Sequence, residues 1–355
     1  MPSYRAAIVG TGGIAAGHVE ALRAHADRVE LVAITDVDAD RATAFARDWT
    51  VPAVYNDLAS LLEAQKPDLV HLCTPPSTHA PLAEQCLRAG VNVLVEKPPT
   101  LSLAELDTLA AVSGETGAQM ATVFQHRFGA GAIRLRNLMA SGELGRSLLA
   151  SCHTLWYRDD DYYQVPWRGR WETEGGGPTM GHGIHQFDLL LSILGPWQRV
   201  IAMTARRARP VQTEDVSTAL VEFADGTLAT VVNSVVSPRQ VSALRFDFEH
   251  ATVELDHLYG YTDDDWTITA APGHEELARR WPAASTPARS GHADQIAALL
   301  DTLDAGQPLP VGLAETRQTM EFIAALYASA ATGAPVQRGE ITPDHPFAAH
   351  MNGHR

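Results

Sequence analysis

A short apolar strand running through a glycine-rich turn into an amphipathic helix constrains this chain more than any other feature. Ala6–Val9 reads as the strand, Gly10-Thr-Gly12-Gly13-Ile14-Ala15 as the turn, and Ile14–Ala26 carries the helical period. Gly10 permits a tight turn, Gly12 lets another group approach the backbone, and Ala15 is small enough for the helix to pack on a sheet. The same alternation continues through the first third of the chain. Further strands are expected at Leu31–Thr35, Leu69–Cys73, Asn92–Val95 and Met120–Phe124, with helices at Asp40–Asp48, Leu58–Ala64, Ala80–Ala89 and Leu103–Thr116. Strands this apolar are covered on both faces, which predicts a doubly wound parallel sheet of the Rossmann type.

After Phe124 the rhythm changes. A helix at Ala130–Ser141 precedes a strand at Ser147–Trp156, a loop dense in Trp, Tyr, Arg, Asp and Gly, and a helix at Ile184–Leu194. Strand patterns then dominate: Arg199–Ala205, Ser217–Phe223, Leu228–Ser234, Ala243–Glu249 and Thr252–Leu258. Asp225-Gly226 marks a tight turn, so its two flanking strands are expected to pair antiparallel. Helices at His292–Asp304 and Leu313–Ala331 close the pattern. Pro272–Ser290 reads as a surface excursion and the stretch from about Pro343 as a loosely packed tail. The expected fold is α/β, a Rossmann domain over residues 1–125. An α+β domain on a mainly antiparallel open sheet comes next over 126–340, with a tail at 341–355.

Three cysteines, Cys73, Cys86 and Cys152, fit neither a disulfide framework nor a zinc pattern. A formal net charge of −15 argues against a nucleic-acid surface. No apolar run approaches the ~20 residues a membrane span requires. The start of the chain leads directly into a strand, leaving no room for a signal peptide, and a cytoplasmic enzyme is the expectation.

The glycine turn gains meaning from the residues downstream of it. A helix N-terminus at that place offers unpaired N–H groups to a pyrophosphate. Asp36 ends the second expected strand, close to the spacing at which a carboxylate bonds the ribose hydroxyls of NAD. A carboxylate there disfavours the 2′-phosphate of NADP, although Arg41 one turn later partly offsets it. Asp36 could also serve as a helix cap, as could Asp38 or Asp40. Cys73-Thr74-Pro75-Pro76-Ser-Thr78-His79 comes after the next strand, with Thr78 placed to cap the helix beyond and His79 at its start. Gly10, Gly12, Gly13, Ile14, Asp36, Thr74, Pro75, His79, Glu96 and Lys97 are the candidate cofactor residues.

These motifs occur in order with Glu96-Lys97-Pro98 and Gly175-Gly-Gly…His185-x-x-Asp188, and together the chain resembles the Gfo/Idh/MocA oxidoreductase family over roughly residues 4–338. The resemblance implies an NAD-dependent enzyme, with NADP less favoured, acting on a secondary alcohol of a sugar, glycoside or cyclitol. Lys97 would polarise the alcohol oxygen, and the position of His185 implies the proton acceptor or donor. The family commonly carries an aspartate four residues before that histidine, where this chain has Gly181. His182 is the candidate substitute. Without the resemblance, Lys97 reads as a partner of Glu96, and Asp188 as a residue that orients His185 or sits on a helix.

The loop from Trp156 to Trp171 supplies aromatic faces and guanidinium groups suited to sugars. Tyr157, Arg158 and Trp167, with His182 and His185, are the candidate substrate residues, while Trp171 reads equally as substrate or interface. His292 recurs near the pocket in the family, with a capping or core role as the alternative. No metal is expected, because the histidines lack an evident carboxylate or cysteine set. The partners expected are a small carbohydrate and other copies of the chain, as a homodimer or homotetramer, with neither nucleic acid nor membrane. Two other readings keep the same fold: an NAD-dependent glycosidase that oxidises its sugar transiently, and a non-catalytic sugar sensor.

Overall fold

The structure is a computed structural model that describes residues 3–257, 259–281 and 289–354. The chain divides into two compact units, one from Met1–Val123 with His292–Arg317 and one from Phe124–Gly291 with Gln318–Arg355. Residues 292–317 thus belong with the first unit, whereas the sequence suggests 126–340 as one domain.

The first unit is built on six parallel strands: β1 (Tyr4–Val9), β2 (Val29–Thr35), β3 (Val54–Tyr55), β4 (Leu69–Leu72), β5 (Asn92–Val95) and β6 (Met120–Thr122). Their order is β3-β2-β1-β4-β5-β6. Sequence order reverses between β1 and β4, and in such sheets ligands bind in the crevice outside the strand carboxyl ends. The helices are α1 (Ala15–Arg23), α2 (Ala39–Asp48), α3 (Leu58–Gln65), α4 (His79–Arg88) and α5 (Leu103–Thr116). Ala6, Ala7, Ile8, Ala33 and Ile34 are fully buried, as strands covered on both faces require. The helix His292–Asp304 packs beside α1, with Ile296, Leu299 and Leu300 in the same core as Val19 and Leu22. β3 escapes the apolar pattern because it is a two-residue edge strand.

Side-chain caps set several boundaries. Asp57 accepts from Ser60 N at 2.8 Å, and Ser102 accepts from Glu105 N at 3.1 Å. Asp38, not Asp36, caps α2 through a 3.0 Å bond from Arg41 N. Thr78 does not cap α4; its hydroxyl turns back to Thr74 Oγ1 and Pro75 O, both at 2.7 Å.

The second unit carries eight strands: β7 (Ser147–Tyr157), β8 (Trp197–Ala205), β9 (Val216–Phe223), β10 (Leu228–Ser234), β11 (Val236–Phe248), β12 (Ala251–Asp256), β13 (Trp266–Ala270) and β14 (Val336–Gln337). Their order is β13-β12-β11-β7-β10-β9-β8-β14, with every pair antiparallel except β10 with β7. The Asp225-Gly226 turn joins β9 and β10 as expected. Helix Ile184–Leu194 lies almost wholly buried in this unit, with Phe187 against Phe322 at 5.3 Å between ring centres.

Two expectations need correction here. The residues beyond Pro343 are not a loose tail: Phe347, Ala348 and Met351 are buried around a short helix, Pro346–Ala349. The apolar residues were too sparse to announce a packed turn. Within the expected excursion 272–290, Glu276–Arg279 is helical and Leu277 and Trp281 are buried, while residues 282–288 lie outside the described part. The expected end of the strand at Leu258 likewise lies outside it.

Candidate functional site

At the carboxyl end of β1 the backbone turns at Gly10, whose φ of +89° is open to glycine and costly for any other residue. A Cβ there would also stand 2.8 Å from Cys73 O. Gly10 is therefore required by the fold itself. Gly12 and Gly13 are different: a Cβ on either meets no atom within 4 Å. Both are exposed, as is Ile14, and among the described residues no side chain caps the start of α1 or places an acid in its first turn. Bare helix N–H groups behind small exposed residues are what a pyrophosphate needs. The chain fits a dinucleotide here.

Asp36 closes β2 with its carboxylate turned toward this loop. It accepts from Thr11 N at 2.7 Å, Thr11 Oγ1 at 2.8 Å, Asp38 N at 2.9 Å and Arg41 Nη2 at 2.5 Å. Burial alone would raise its pKa, but the bonds from Arg41, Asp38 and Thr11 outweigh that and hold it at about 2. It is a fixed anion beside the glycine turn. Arg41 remains half exposed above it.

The β4 and β5 ends are joined by an imidazole. His79 is fully buried, with Nδ1 2.7 Å from Pro98 O and Nε2 2.7 Å from Thr74 O. It lies between the Thr74-Pro75 loop and the segment after Lys97, closed to solvent, and as a neutral imidazole it donates to one of the two carbonyls.

Glu96 likewise faces inward. Its Oε1 lies 3.0 Å from His18 Nε2 and 3.1 Å from His292 Nε2, and its Oε2 accepts from the Lys97 backbone N–H at 3.1 Å. His18 Nδ1 is 2.8 Å from His71 Nδ1. With Glu96 ionised, these contacts fix the tautomers. His18 donates from Nε2, so its bare Nδ1 accepts from His71, whose own Nε2 keeps a buried lone pair with no partner among the described residues. Burial pushes the pKa of His18 and of His71 down, keeping both neutral. For Glu96 burial acts upward, but the bonds from His18 and His292 hold its pKa well below the usual carboxylate range. The sequence reading missed this group, and His292 is neither a cap nor a core filler but an anchor for Glu96. The ligand-type atoms of His18, Glu96 and His292 lie within 4.8 Å of one another, a set the expectation of no metal did not anticipate. Mutual hydrogen bonds account for the ring nitrogens that point at Glu96.

In the second unit the two histidines stand on different elements, and the helix that carries His185 begins at Ile184 as expected. Pro178–Gly181 is one short turn, and His182 sits past its end. The chain still brings the two imidazoles into one aromatic face. His185 lies 5.3 Å from Tyr259 and 5.0 Å from His126 between ring centres. His182 meets Trp156 at 5.0 Å, and Trp156 meets Tyr259 at 5.2 Å. Tyr162 Oη stands 3.3 Å from His182 Nε2. His126, Tyr162 and Tyr259 were not singled out in the sequence, where they are isolated residues far apart.

Asp188 belongs to another pairing. Arg127 grips it with Nε–Oδ2 at 2.5 Å and Nη2–Oδ1 at 2.6 Å. A fork of this kind, with Asp188 almost wholly buried, is a structural clamp. Glu174, also unremarked in the sequence, accepts from Gly169 N at 2.6 Å and has Oε1 3.6 Å from where a Gly181 Cβ would stand. Of the loop residues, Tyr157 is exposed beneath the Arg209 guanidinium, and Trp167 is half-buried beneath that of Arg168. Trp171 gives its Nε1–H to Gln212 O at 3.1 Å and packs on Tyr327.

A Rossmann unit with an open glycine turn, followed by a unit bearing a buried imidazole–aromatic face, defines a dinucleotide-binding oxidoreductase. The description "Oxidoreductase family, NAD-binding Rossmann fold" matches residues 4–124, and "GFO/IDH/MocA C-terminal domain" matches 132–254. The chain belongs to the GFO/IDH/MocA oxidoreductase family, and its first unit is the NAD-binding domain. It is similar to D-glucoside 3-dehydrogenase of Escherichia coli K12, 26% identical across 94% of this chain and 97% of that one. It is also similar to myo-inositol 2-dehydrogenase of Thermotoga maritima, 29% identical across 65% and 68%. Among solved structures it resembles the WlbA dehydrogenase of Chromobacterium violaceum in complex with NADH and UDP-GlcNAcA. That match has a TM-score of 0.84 and 25% identity, covering 96% of this chain and 99% of the other.

Two outcomes are expected of the first unit. Gly12→Ala should melt like the parent, because its Cβ enters open space, yet bind NAD at least tenfold more weakly in calorimetry. Gly10→Ala should lose about 1–3 kcal/mol of stability through its left-handed backbone. Equal NAD affinity in Gly12→Ala would remove the pyrophosphate from that turn.

The buried imidazoles give a pH dependence of defined sign. Native His18, His71 and His79 have pKa values pushed below normal, each chiefly by burial, so the unfolded chain binds more protons as pH drops. Their stability contribution is present above the ordinary histidine value and is lost as pH falls below it. The urea midpoint should therefore decline between pH 7 and 5. His71→Asn should flatten that slope by at most about 1.4 kcal/mol per pH unit, the effect of one proton. An unaltered slope would mean that His71 is protonated in the native state.

Proposed function

We propose that this enzyme carries out reversible oxidation of a secondary alcohol on a sugar, glycoside or cyclitol. The observation that carries this reading is the convergence of His182 and His185 on the faces and edges of Trp156 and Tyr259. Aromatic faces take the apolar side of a sugar ring, and an imidazole takes or returns a hydroxyl proton. The names of the glucoside and inositol dehydrogenases above support the same substrate class.

NAD, when bound, supplies the acceptor for the hydride. His185, assisted by His182, removes the hydroxyl proton, and Lys97 stabilises charge on the alcohol oxygen. Glu96 holds the Lys97 backbone in register through its 3.1 Å bond. Asp36 favours NAD over NADP by repelling a 2′-phosphate, while Arg41 softens the discrimination.

We also propose that the chain works as a homodimer or homotetramer through the open face of the second sheet. Ile201 and Leu220 are directly opposed across β8 and β9, and they are 44% and 61% exposed, with Met203 at 73% on the same face. Such an apolar patch is costly to leave in water.

Purified protein with NAD and a panel of methyl glycosides, aldoses and cyclitols should raise absorbance at 340 nm. His185→Ala should lower kcat by about a hundredfold or more while NAD affinity holds, and Lys97→Ala should lower kcat at least as far. No absorbance change with any panel member would refute the activity. Asp36→Ala should reduce the NAD:NADP ratio of kcat/KM at least tenfold, and Arg41→Ala should raise it. Light scattering should give a dimer or tetramer mass that falls in a Met203→Glu, Leu220→Arg double variant. A parent protein already of monomer mass would remove the assembly proposal.

A further inference from the structure

We propose that the sugar bears an oxyanion, a carboxylate or a phosphate, which Arg158 and Arg168 recognise beside the imidazole–aromatic face. The proposal rests on the reading above for the ligand's being a sugar, and it adds the charge that the ligand carries.

The two guanidinium groups share one phenol. Arg158 lies over Tyr162 at 5.1 Å and over Trp156 at 4.7 Å, while Arg168 lies over Tyr162 at 3.8 Å and over Trp167 at 4.3 Å. Aromatic faces orient such groups and repay part of their desolvation. Their polar edges are poorly matched. Arg158 donates Nη1 to Tyr157 O at 3.1 Å and makes no ion pair among the described residues. Arg168 meets the Tyr162 hydroxyl and stands 3.8 Å from Glu174 Oε1, a carboxylate already engaged with Gly169 N. The Nε atoms of both arginines are buried without a partner among the described residues.

Arg127, Arg134 and Arg209 of the same unit meet carboxylates more closely, at 2.5, 2.8 and 3.0 Å, although Arg134 Nη1 and Arg209 Nε are also buried without a partner among the described residues. Burial acts to lower the pKa of Arg158 and of Arg168; at Arg168 the charge of Glu174 acts the other way and the positive charge of Arg158 adds to the lowering. Two half-buried like charges with spare donors constitute an electrostatic deficit that an anion relieves. The guanidinium fork matches carboxylate and phosphate oxygens in pairs.

Their position fits a substrate better than an allosteric ligand. Tyr162, in contact with both, reaches His182 at 3.3 Å, and Trp156, beneath Arg158, touches both His182 and Tyr259. A ring lying on Trp156 and Tyr259 thus has both imidazoles and a guanidinium group for neighbours. The chain's net charge of −15 makes this positive spot a local device.

The test uses the full-length protein saturated with NADH and three probes in calorimetry: D-glucose, D-glucuronate and D-glucose 6-phosphate. At least one of the two anions should bind tenfold or more tightly than glucose, and the stronger arm identifies carboxylate or phosphate. That preference should collapse in Arg158→Gln and Arg168→Gln, survive in part in the lysine variants, and weaken with added salt. Thermal melting of each variant verifies folding, and any variant that does not fold is replaced by its lysine counterpart. Glucose binding as tightly as both anions, equal losses for all three probes in the glutamine variants, or no binding by any probe would each overturn the proposal. Should the anion bind while no sugar ever produces NADH, the oxidation reading fails and the anion site stands.

Discussion

The first unit depends on one buried charge. Glu96 takes hydrogen bonds from three directions: His18 on α1, His292 on the helix that returns to the unit near the chain's end, and the Lys97 backbone that continues β5. A carboxylate stripped of water is tolerable only when its lone pairs are met, and here both oxygens are. The same bonds fix where α1 begins relative to the sheet, and with it the glycine turn. They also fix the backbone from which Lys97 projects. Removing one partner of such a buried group typically costs several kcal/mol, about 3–5 for an ion pair. The cofactor loop and the candidate catalytic lysine are therefore set by a shared anchor.

How much of this was legible depended on whether the signal was local. β1, β2, β4 and β5 were readable because each is a run of apolar residues closed by a turn residue, and α5 because Ser102 and Gly117 bound it in sequence as in space. The Gly10 turn was readable because its φ admits only glycine with ease. His18, His71, Glu96 and His292 share no spacing at all. Nothing in a one-dimensional pattern says that positions so far apart share a single carboxylate, and the isolated histidines looked like ordinary core or cap residues. The helix start at Ile184 was readable, but the short turn Pro178–Gly181 and the gap after it at His182 were not. Gly181 and Gly183 flank His182, and glycines permit a break without compelling one.

Asp188 illustrates what a plausible local pattern leaves out. Three residues after His185, it stands at a helical spacing suited to holding that imidazole. Its carboxylate is forked by Arg127, from a turn sixty-one positions earlier, with Thr319 Oγ1 at 3.4 Å. A bidentate guanidinium bond to a buried acid is roughly twice as strong as a neutral one. The clamp ties the beginning of the second unit to its buried central helix, which carries His185. Asp188 is thereby part of the scaffold beneath a catalytic candidate.

Charge in this protein is organised by distance. Over the whole surface acids outnumber bases, yet around Tyr162 two guanidinium groups stand together with unfilled donors. Beyond about 8–10 Å, salt screens the surface acids from whatever binds there. Within a few ångströms the arginines act through a partly desolvated medium, where each contact is stronger. A ligand is thus selected by the near field, while the overall charge governs solubility. The sequence announced the arginines and the aromatics of this loop but could not say which would be neutralised. That distinction arises only when Asp160 goes to Arg209 and Glu174 goes to the Gly169 backbone and Arg168, leaving Arg158 without an ion pair among the described residues.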